Sequence, residues 1–339
     1  MKFIPELAGL RGIAATMVFV AHASEDGFLP RFIGNTFGKM GLMGFFILSG
    51  YLIAQVYLYK PFTTETSRSY LIARFARIAP VYFLVILMSF IISNYIFEGF
   101  HYDFTYKLKL LLSFTFINCP NEPWTIPVEV QFYFCFLVFW CLFAFKKLNS
   151  FTFFLLPLGL LIPTIVYAVL VNKIPHVMTS FSLFFFIGVF ISGLQNKEYF
   201  EKIKNKTPSF VSILMLILFS VAYPVMKKKL GIPGFGWYDP ISIMIVVFLF
   251  ILVISKPSDF KILKLNPLIF MSEISYGFYL IHRPLMKITK EEFGTGLLAM
   301  FILFSVSVII AWLSFKLIEV PARKFIESRF NSRSKQIKA

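Results

Sequence analysis

Leu10-Arg11-Gly12-Ile13-Ala14-Ala15-Thr16-Met17-Val18-Phe19-Val20-Ala21-His22 decides how this chain is read. Ten mostly apolar residues separate an arginine from a histidine. On an α-helix that separation is about 16 Å, at roughly 1.5 Å of rise per residue. The guanidinium then sits near one face of a bilayer core and the imidazole well toward the other. Ionisable residues within membrane helices are costly and mark pathways or sites. The function is to be sought there.

Composition supports the membrane reading. Of 339 residues 58% are hydrophobic and 15% charged, and 45 are Phe, against about 45–50% apolar and 25% charged in a soluble domain. A net charge of +16 would indicate a nucleic-acid partner in a soluble chain. In a polytopic one orientation accounts for it, so no nucleic acid is expected. Cys135 and Cys141 lie in one apolar run and Cys119 in a loop, which reads as packing rather than a disulfide. There is no Cys/His cluster with zinc spacing, no glycine-rich phosphate loop after a strand and no G-x-S-x-G elbow. No metal is expected.

Apolar stretches of membrane-spanning length fall at roughly 7–24, 40–58, 72–97, 126–146, 151–171, 177–195, 208–226, 238–255, 268–286 and 296–317. The expected fold class is therefore all-α. It is a polytopic membrane protein of about ten transmembrane helices, with Leu108 to Ile117 as a short re-entrant or interfacial segment. Residues 1–322 form the transmembrane domain and 323–339 a basic cytoplasmic tail. Ala21-His22-Ala23 before Ser24 has the look of a signal-peptidase site. Glu6 and the fit of the helix to the wider pattern argue that it is retained.

The Lys/Arg bias sets orientation. With the N-terminus inside, the inner side carries Lys2, Lys60, Arg68, Arg74, Arg77, Lys146, Lys147, the lysines from Lys197 to Lys206 and from Lys256 to Lys264, and the tail. The outer side carries about half as many, among them Lys39 and a Lys227-Lys228-Lys229 cluster that breaks the rule. Both termini are then cytoplasmic. Arg11 lies toward the inner side, His22 toward the outer, and Arg74 and Arg77 open the third helix at its cytoplasmic end. Glu129 enters the fourth helix from outside at the depth of His22.

Each constellation has two readings. His22 can be neutral near pH 7 and accept a proton, as imidazole titrates near 6.5. A carboxylate at its depth would fix its tautomer, and Glu129 is the candidate. The same positions suit an interfacial His and a Glu capping a helix after Pro127. Arg74 and Arg77 share a helical face and have the geometry for phosphate, yet orientation alone also asks for arginine there. In the run from Gly41 to Tyr51, small residues among bulky ones let helices approach closely. Its sharper reading is a backbone surface for a ligand, ending in Ser49 and Tyr51. Trp124, Gln131 and Tyr133 flank Glu129 at a helix entrance, either as an interfacial belt or as one wall of a sugar site. Ser275 to Pro284 brings His282 to the level of His22.

Together these motifs resemble the acyltransferase 3 family of integral-membrane acyltransferases. The basic residue, ten residues and His of that family look like Arg11 to His22, and its paired arginines like Arg74 and Arg77. Its Trp-Thr/Ser-x-x-x-Glu-x-Gln-Phe-Tyr stretch looks like Trp124, Thr125, Glu129, Gln131, Phe132 and Tyr133. Its late Ser-Tyr-x-x-Tyr-Leu-x-His-x-Pro pattern looks like Ser275 to Pro284. The resemblance spans nearly the whole chain in order. It implies transfer of an acyl group, usually acetyl from acetyl-CoA, to a hydroxyl of an envelope carbohydrate such as an O-antigen or other surface polysaccharide. The setting implied is a bacterial inner membrane.

His22 and Glu129 would then be catalytic, while Arg11, Arg74, Arg77, Ser49 and Tyr51 hold the CoA end. Trp124, Gln131, Tyr133, His282 and Ser275 face the acceptor, a carbohydrate or lipid-linked glycan. Val130 stands where members often carry a second Glu, which argues against a double-carboxylate mechanism. The basic tail takes the place of the soluble hydrolase-like domain that some members append, so transfer is expected within the membrane domain. The competing classes are a transporter or flippase of an envelope glycan or acyl precursor, for which no inverted repeat is visible, and a glycan-binding scaffold.

Overall fold

The computed structural model describes residues 4–30, 34–96, 100–102, 104, 106–145, 155, 158–171, 174–194, 198–231 and 236–331. Among the described residues there is no strand. The helices are α1 (Pro5–Glu25), α2 (Gly34–Tyr57), α3 (Thr64–Ile91), α4 (Lys107–Phe114), α5 (Thr125–Ala144), α6 (Ile162–Val171) and α7 (Met178–Leu194). They continue as α8 (Glu198–Lys206), α9 (Ser209–Ile217), α10 (Tyr223–Lys229), α11 (Pro240–Ser255), α12 (Asn266–Phe293), α13 (Leu297–Ser314) and α14 (Val320–Asn331).

Among the described residues six stretches are long and apolar enough to cross a membrane: Pro5–Glu25, Thr36–Tyr57, Thr64–Ile96, Glu122–Ala144, Ser209–Lys227 and Leu297–Phe330. Pro240–Ser255 with Pro257–Lys264, bent by 100°, makes a seventh if counted as one span. The all-helical membrane architecture is as expected. Of the remaining expected spans, 177–195 falls on the 17-residue α7, and 151–171 lies partly outside the described residues. The expected 268–286 falls on α12, which has the length but is not apolar enough, since it carries Glu273 and Arg283 in mid-helix. The segment expected to be re-entrant or interfacial forms the eight-residue α4, at about 12 Å too short to span.

The chain divides into two compact units: residues 1–52 with 187–311, and residues 53–186 with 312–339. In unit 1, α1 packs along α12. Without a hydrophobic drive between helices in lipid, association depends on close backbone approach and interhelical polar bonds. Gly9 and Gly12 supply the approach. A Cβ on Gly9 would stand 1.8 Å from the Leu263 carbonyl oxygen, and one on Gly12 2.2 Å from that of Leu268. Ion pairs close both ends: Glu6 to Lys264 Nζ at 2.9 Å and Asp26 to Arg283 Nη1 at 2.7 Å. On the other side of α1, a Cβ on Gly41 would meet the Ala14 carbonyl oxygen at 2.7 Å, so the small-residue run of α2 serves close helix approach.

Unit 1 also accounts for part of the lysine cluster that breaks the orientation rule. Lys227 is buried and pairs with Asp239 at 2.6 Å. Asp239 in turn caps α11 through the Ser242 N–H at 2.9 Å and accepts the Tyr223 hydroxyl at 2.9 Å. A buried ammonium held this way presents little net charge to its surroundings.

In unit 2, α3 begins at a capping box in which the Thr63 and Thr66 side chains satisfy each other's backbone N–H groups. This corrects the sequence expectation. The helix starts at Thr64 rather than near residue 72, because capping outweighs the polarity of Thr64 to Ser69. Arg74 and Arg77 therefore do not open the helix but lie about 15 and 20 Å inside it. Aromatic packing dominates the remainder, with Phe132 stacked on Phe185 at 4.2 Å and Tyr70 donating to the Tyr133 carbonyl at 2.9 Å. The expected tail begins as the end of α14, which packs on α3; residues 332–339 lie outside the described residues.

Candidate active site

His22 stands one turn from the end of α1 and His282 in the middle of α12. The 2.8 Å contact from His22 Nδ1 to His282 Nε2 joins them. The ring planes are within 6° and the centroids 5.1 Å apart. That separation equals the hydrogen bond plus the two ring radii, so the imidazoles meet edge to edge rather than face to face. His282 is 1% exposed, and its Nδ1 lies 3.0 Å from the Phe278 carbonyl oxygen.

These partners settle the tautomers. A carbonyl only accepts, so His282 Nδ1 carries the hydrogen. Neutral His282 then has a lone pair on Nε2, which accepts from His22 Nδ1–H. In neutral His22 the unprotonated, basic nitrogen is therefore Nε2. If His22 takes a second proton there, its positive charge is shared along the Nδ1–H bond to His282. A backbone carbonyl buried in α12 thus determines which nitrogen of His22 is a base. The neighbouring Arg283–Asp26 pair ties the same stretch of α12 to the residues following α1.

Unit 2 holds the second group. Tyr133, one turn below Glu129 on α5, donates its hydroxyl to Glu129 Oε1 at 2.7 Å. The guanidiniums of Arg77 and Arg74 act electrostatically on Tyr133. Arg74 lies over the Tyr57 ring, 6.0 Å from its centre, and its buried Nε has no hydrogen-bond partner among the described residues. A cleft of about 380 Å³ opens beside it, with Arg74, Val130 and Tyr133 in an otherwise mostly apolar wall that also includes Ile326 and Phe330 of α14.

The acyltransferase domain family, Acyl_transf_3, matches residues 4–316. The chain belongs to that family. Among curated relatives it is 24% identical to the peptidoglycan O-acetyltransferase OatA of Listeria monocytogenes, over 95% of this chain and 56% of the relative. It is also 24% identical to a putative O-acetyltransferase of Staphylococcus aureus, over 96% and 58%. A putative acetyltransferase of Acidianus two-tailed virus is 26% identical over 83% of each chain. The chain thus spans less than three-fifths of the two bacterial relatives it matches. No solved structure matches.

Within this acyltransferase-family chain, the other expected site residues have definite surroundings. His282, expected on the acceptor side, occupies the orienting place on His22 Nδ1 that the sequence assigned to Glu129. Gln131 has its carboxamide engaged by the scaffold. Its Nε2 donates to the Phe116 and Ile117 carbonyls, each at 3.0 Å, and its Oε1 accepts from the Met178 N–H at 3.0 Å. It thereby pins a turn in which Phe116 has a left-handed φ of 54°. Ser275, 1% exposed, donates to the Ser272 carbonyl of its own helix at 2.8 Å. Trp124 stacks on His176 at 4.2 Å, so an imidazole covers its ring.

Arg11 lies beside Phe45, 5.7 Å from the ring centre, and Tyr51 is buried against Phe250. Ser49 stands one turn beyond Phe45 on α2. Val130 lines the mostly apolar cleft beside Arg74. Sequence reasoning missed Asp26. Its signal was the four-residue step from His22, which matches an arginine directly after His282.

Proposed function

We propose that this protein is a membrane O-acyltransferase that moves an acyl group, acetyl in the first instance, from cytoplasmic acyl-CoA to a hydroxyl of an envelope carbohydrate. The observation that carries the reading is the Phe278–His282–His22 hydrogen-bond chain. It supports a basic nitrogen on a histidine near the end of α1, the end that the Lys/Arg bias would put at the outer face. His22 Nε2 takes the proton of the acceptor hydroxyl as its oxygen bonds to the acyl carbon. The carbon–sulfur bond breaks, and the same proton passes to the departing thiolate. His282 is a positioning residue in this scheme. It holds the tautomer of His22 and stabilises the imidazolium, a task worth about 100-fold or more in rate.

The donor side suits Arg74 and Arg77. A half-buried guanidinium whose buried Nε is an orphan is costly until an anion meets it, and a CoA phosphate is such an anion. The names of the relatives put O-acetyl transfer, and for one of them peptidoglycan, among the candidate reactions. About ten spans with both termini cytoplasmic, in a bacterial inner membrane, would deliver the CoA nucleotide to the basic side and the glycan to the side of His22.

The test is incubation of purified protein with acyl-labelled acetyl-CoA and an envelope-glycan extract, comparing wild type with His22→Ala. Labelled glycan from wild type alone is expected, with CoA binding kept by both. Equal transfer by both proteins removes His22 from the chemistry. A trappable acyl-enzyme with ping-pong kinetics replaces direct transfer by an acyl-histidine route.

A further inference from the structure

Lys39 lies within about 3 Å of the level of His22 along α1, by a rise of about 1.5 Å per residue, and takes no part in the proton chain. Gly38 and Ala21 fix that relation: a Cβ on Gly38 would touch the Ala21 Cβ at 3.1 Å. The two helices run antiparallel, since Gly41 meets Ala14 and Val18, so Lys39 and His22 stand one residue to either side of that contact. The ammonium is half-buried and lies over the Trp237 indole, 5.9 Å from the ring centre. That is the outer limit of a cation–π contact, about 6 Å, and leaves its N–H donors open. Among the described residues no carboxylate forms an ion pair with it. Lys227 repels it and Glu25 attracts it, but Lys227 is engaged by Asp239 and Glu25 is exposed at the end of α1.

Half-burial costs an ammonium solvation. An arriving anion relieves it. A single ammonium is a point charge matched to one carboxylate, whereas phosphate is better held by guanidinium forks or several donors. Trp237, half-buried beside it, offers a flat apolar surface with a polar edge, the form that fits the C–H face of a pyranose ring. We propose that Lys39 and Trp237 form an acceptor subsite that selects a carboxylate-bearing sugar, a uronic acid in chemical class, and presents a neighbouring hydroxyl to His22. This rests on the reading of His22 as the general base.

The full chain, purified in nanodiscs, is titrated by thermophoresis with cellouronate and with cello-oligosaccharide of equal length. The acidic sugar is expected to bind at least about tenfold more tightly. Lys39→Gln should abolish most of that preference, Lys39→Arg should keep it within about threefold, and Trp237→Leu should weaken both sugars. In wild type, raising salt from about 50 to about 500 mM should weaken the acidic sugar alone. This measurement needs no variant to fold. Equal binding of the two sugars, or a preference untouched by Lys39→Gln, overturns the subsite. Binding is read without turnover, so a wild type that binds the uronate yet transfers no acetyl refutes the catalytic reading and leaves the subsite supported.

Discussion

The α1–α12 seam of unit 1 and the Arg74 cleft of unit 2 treat their polar groups in opposite ways. Along the seam they are matched to one another: imidazole to imidazole to carbonyl, Asp26 to Arg283 and Glu6 to Lys264, with Asp239 to Lys227 elsewhere in the unit. In unit 2 the cations of the candidate site lie against rings and apolar walls, and Arg74 keeps an orphan Nε. Matched groups fix where protons reside, which proton transfer needs. An open guanidinium in an apolar wall suits an anion that comes and goes. Chemistry is therefore expected to follow unit 1 and donor affinity unit 2.

The strongest challenge to that division is His282→Ala. A fall of about 100-fold or more in kcat is expected with donor KM nearly unchanged. His282→Gln, whose side-chain oxygen can accept from His22 Nδ1–H, should recover part of it. A merely structural role would show no such rescue. Next comes Asp239→Asn, which leaves Lys227 buried without a counter-charge. Thermal unfolding in detergent should show a loss of about 3 kcal/mol, with kcat of the folded fraction little altered.

In unit 2, Arg74→Gln should raise the KM for acyl-CoA about tenfold, roughly 1.4 kcal/mol, and leave kcat within a small factor. A drop in kcat alone would erase the contrast between the units. The smallest effect belongs to Cys119. Burial pushes its thiol up to about 11, against hydrogen bonds with Ser113 and Tyr82 that pull the other way. Maleimide at pH 7 should therefore leave it unlabelled and activity unchanged, with labelling rising only as pH nears that value.

Much of the helical architecture was legible in hydropathy, and the key histidines in their depth. Periodicity places His22 and His282 at one level because helix rise converts sequence distance into depth. It cannot say which of two polar groups turns toward His22, since rotation about α12 depends on packing against Gly9 and Gly12. The start of α3 was misread for a local reason: Thr63 to Ser69 is polar enough to look like a loop, and only the Thr-x-x-Thr spacing reveals the cap. Gln131 looked like a ligand-facing residue because its partners, Phe116, Ile117 and Met178, are backbone groups invisible to side-chain patterns. Of the lysine cluster that breaks the orientation rule, Lys227 is explained by its buried partner Asp239, a pairing across twelve residues that charge counting does not see.

The pairing of α1 with α12 has a consequence for how the chain is made. Helix α12, with Glu273, His282 and Arg283, is too polar to partition readily by itself. Its partner α1 leaves the ribosome about 240 residues earlier. At about 5–20 residues per second, α1 waits tens of seconds with its glycine face unfilled before α12 appears. During biogenesis α1 is thus a held template, and chains truncated before residue 266 should be targets for membrane quality control.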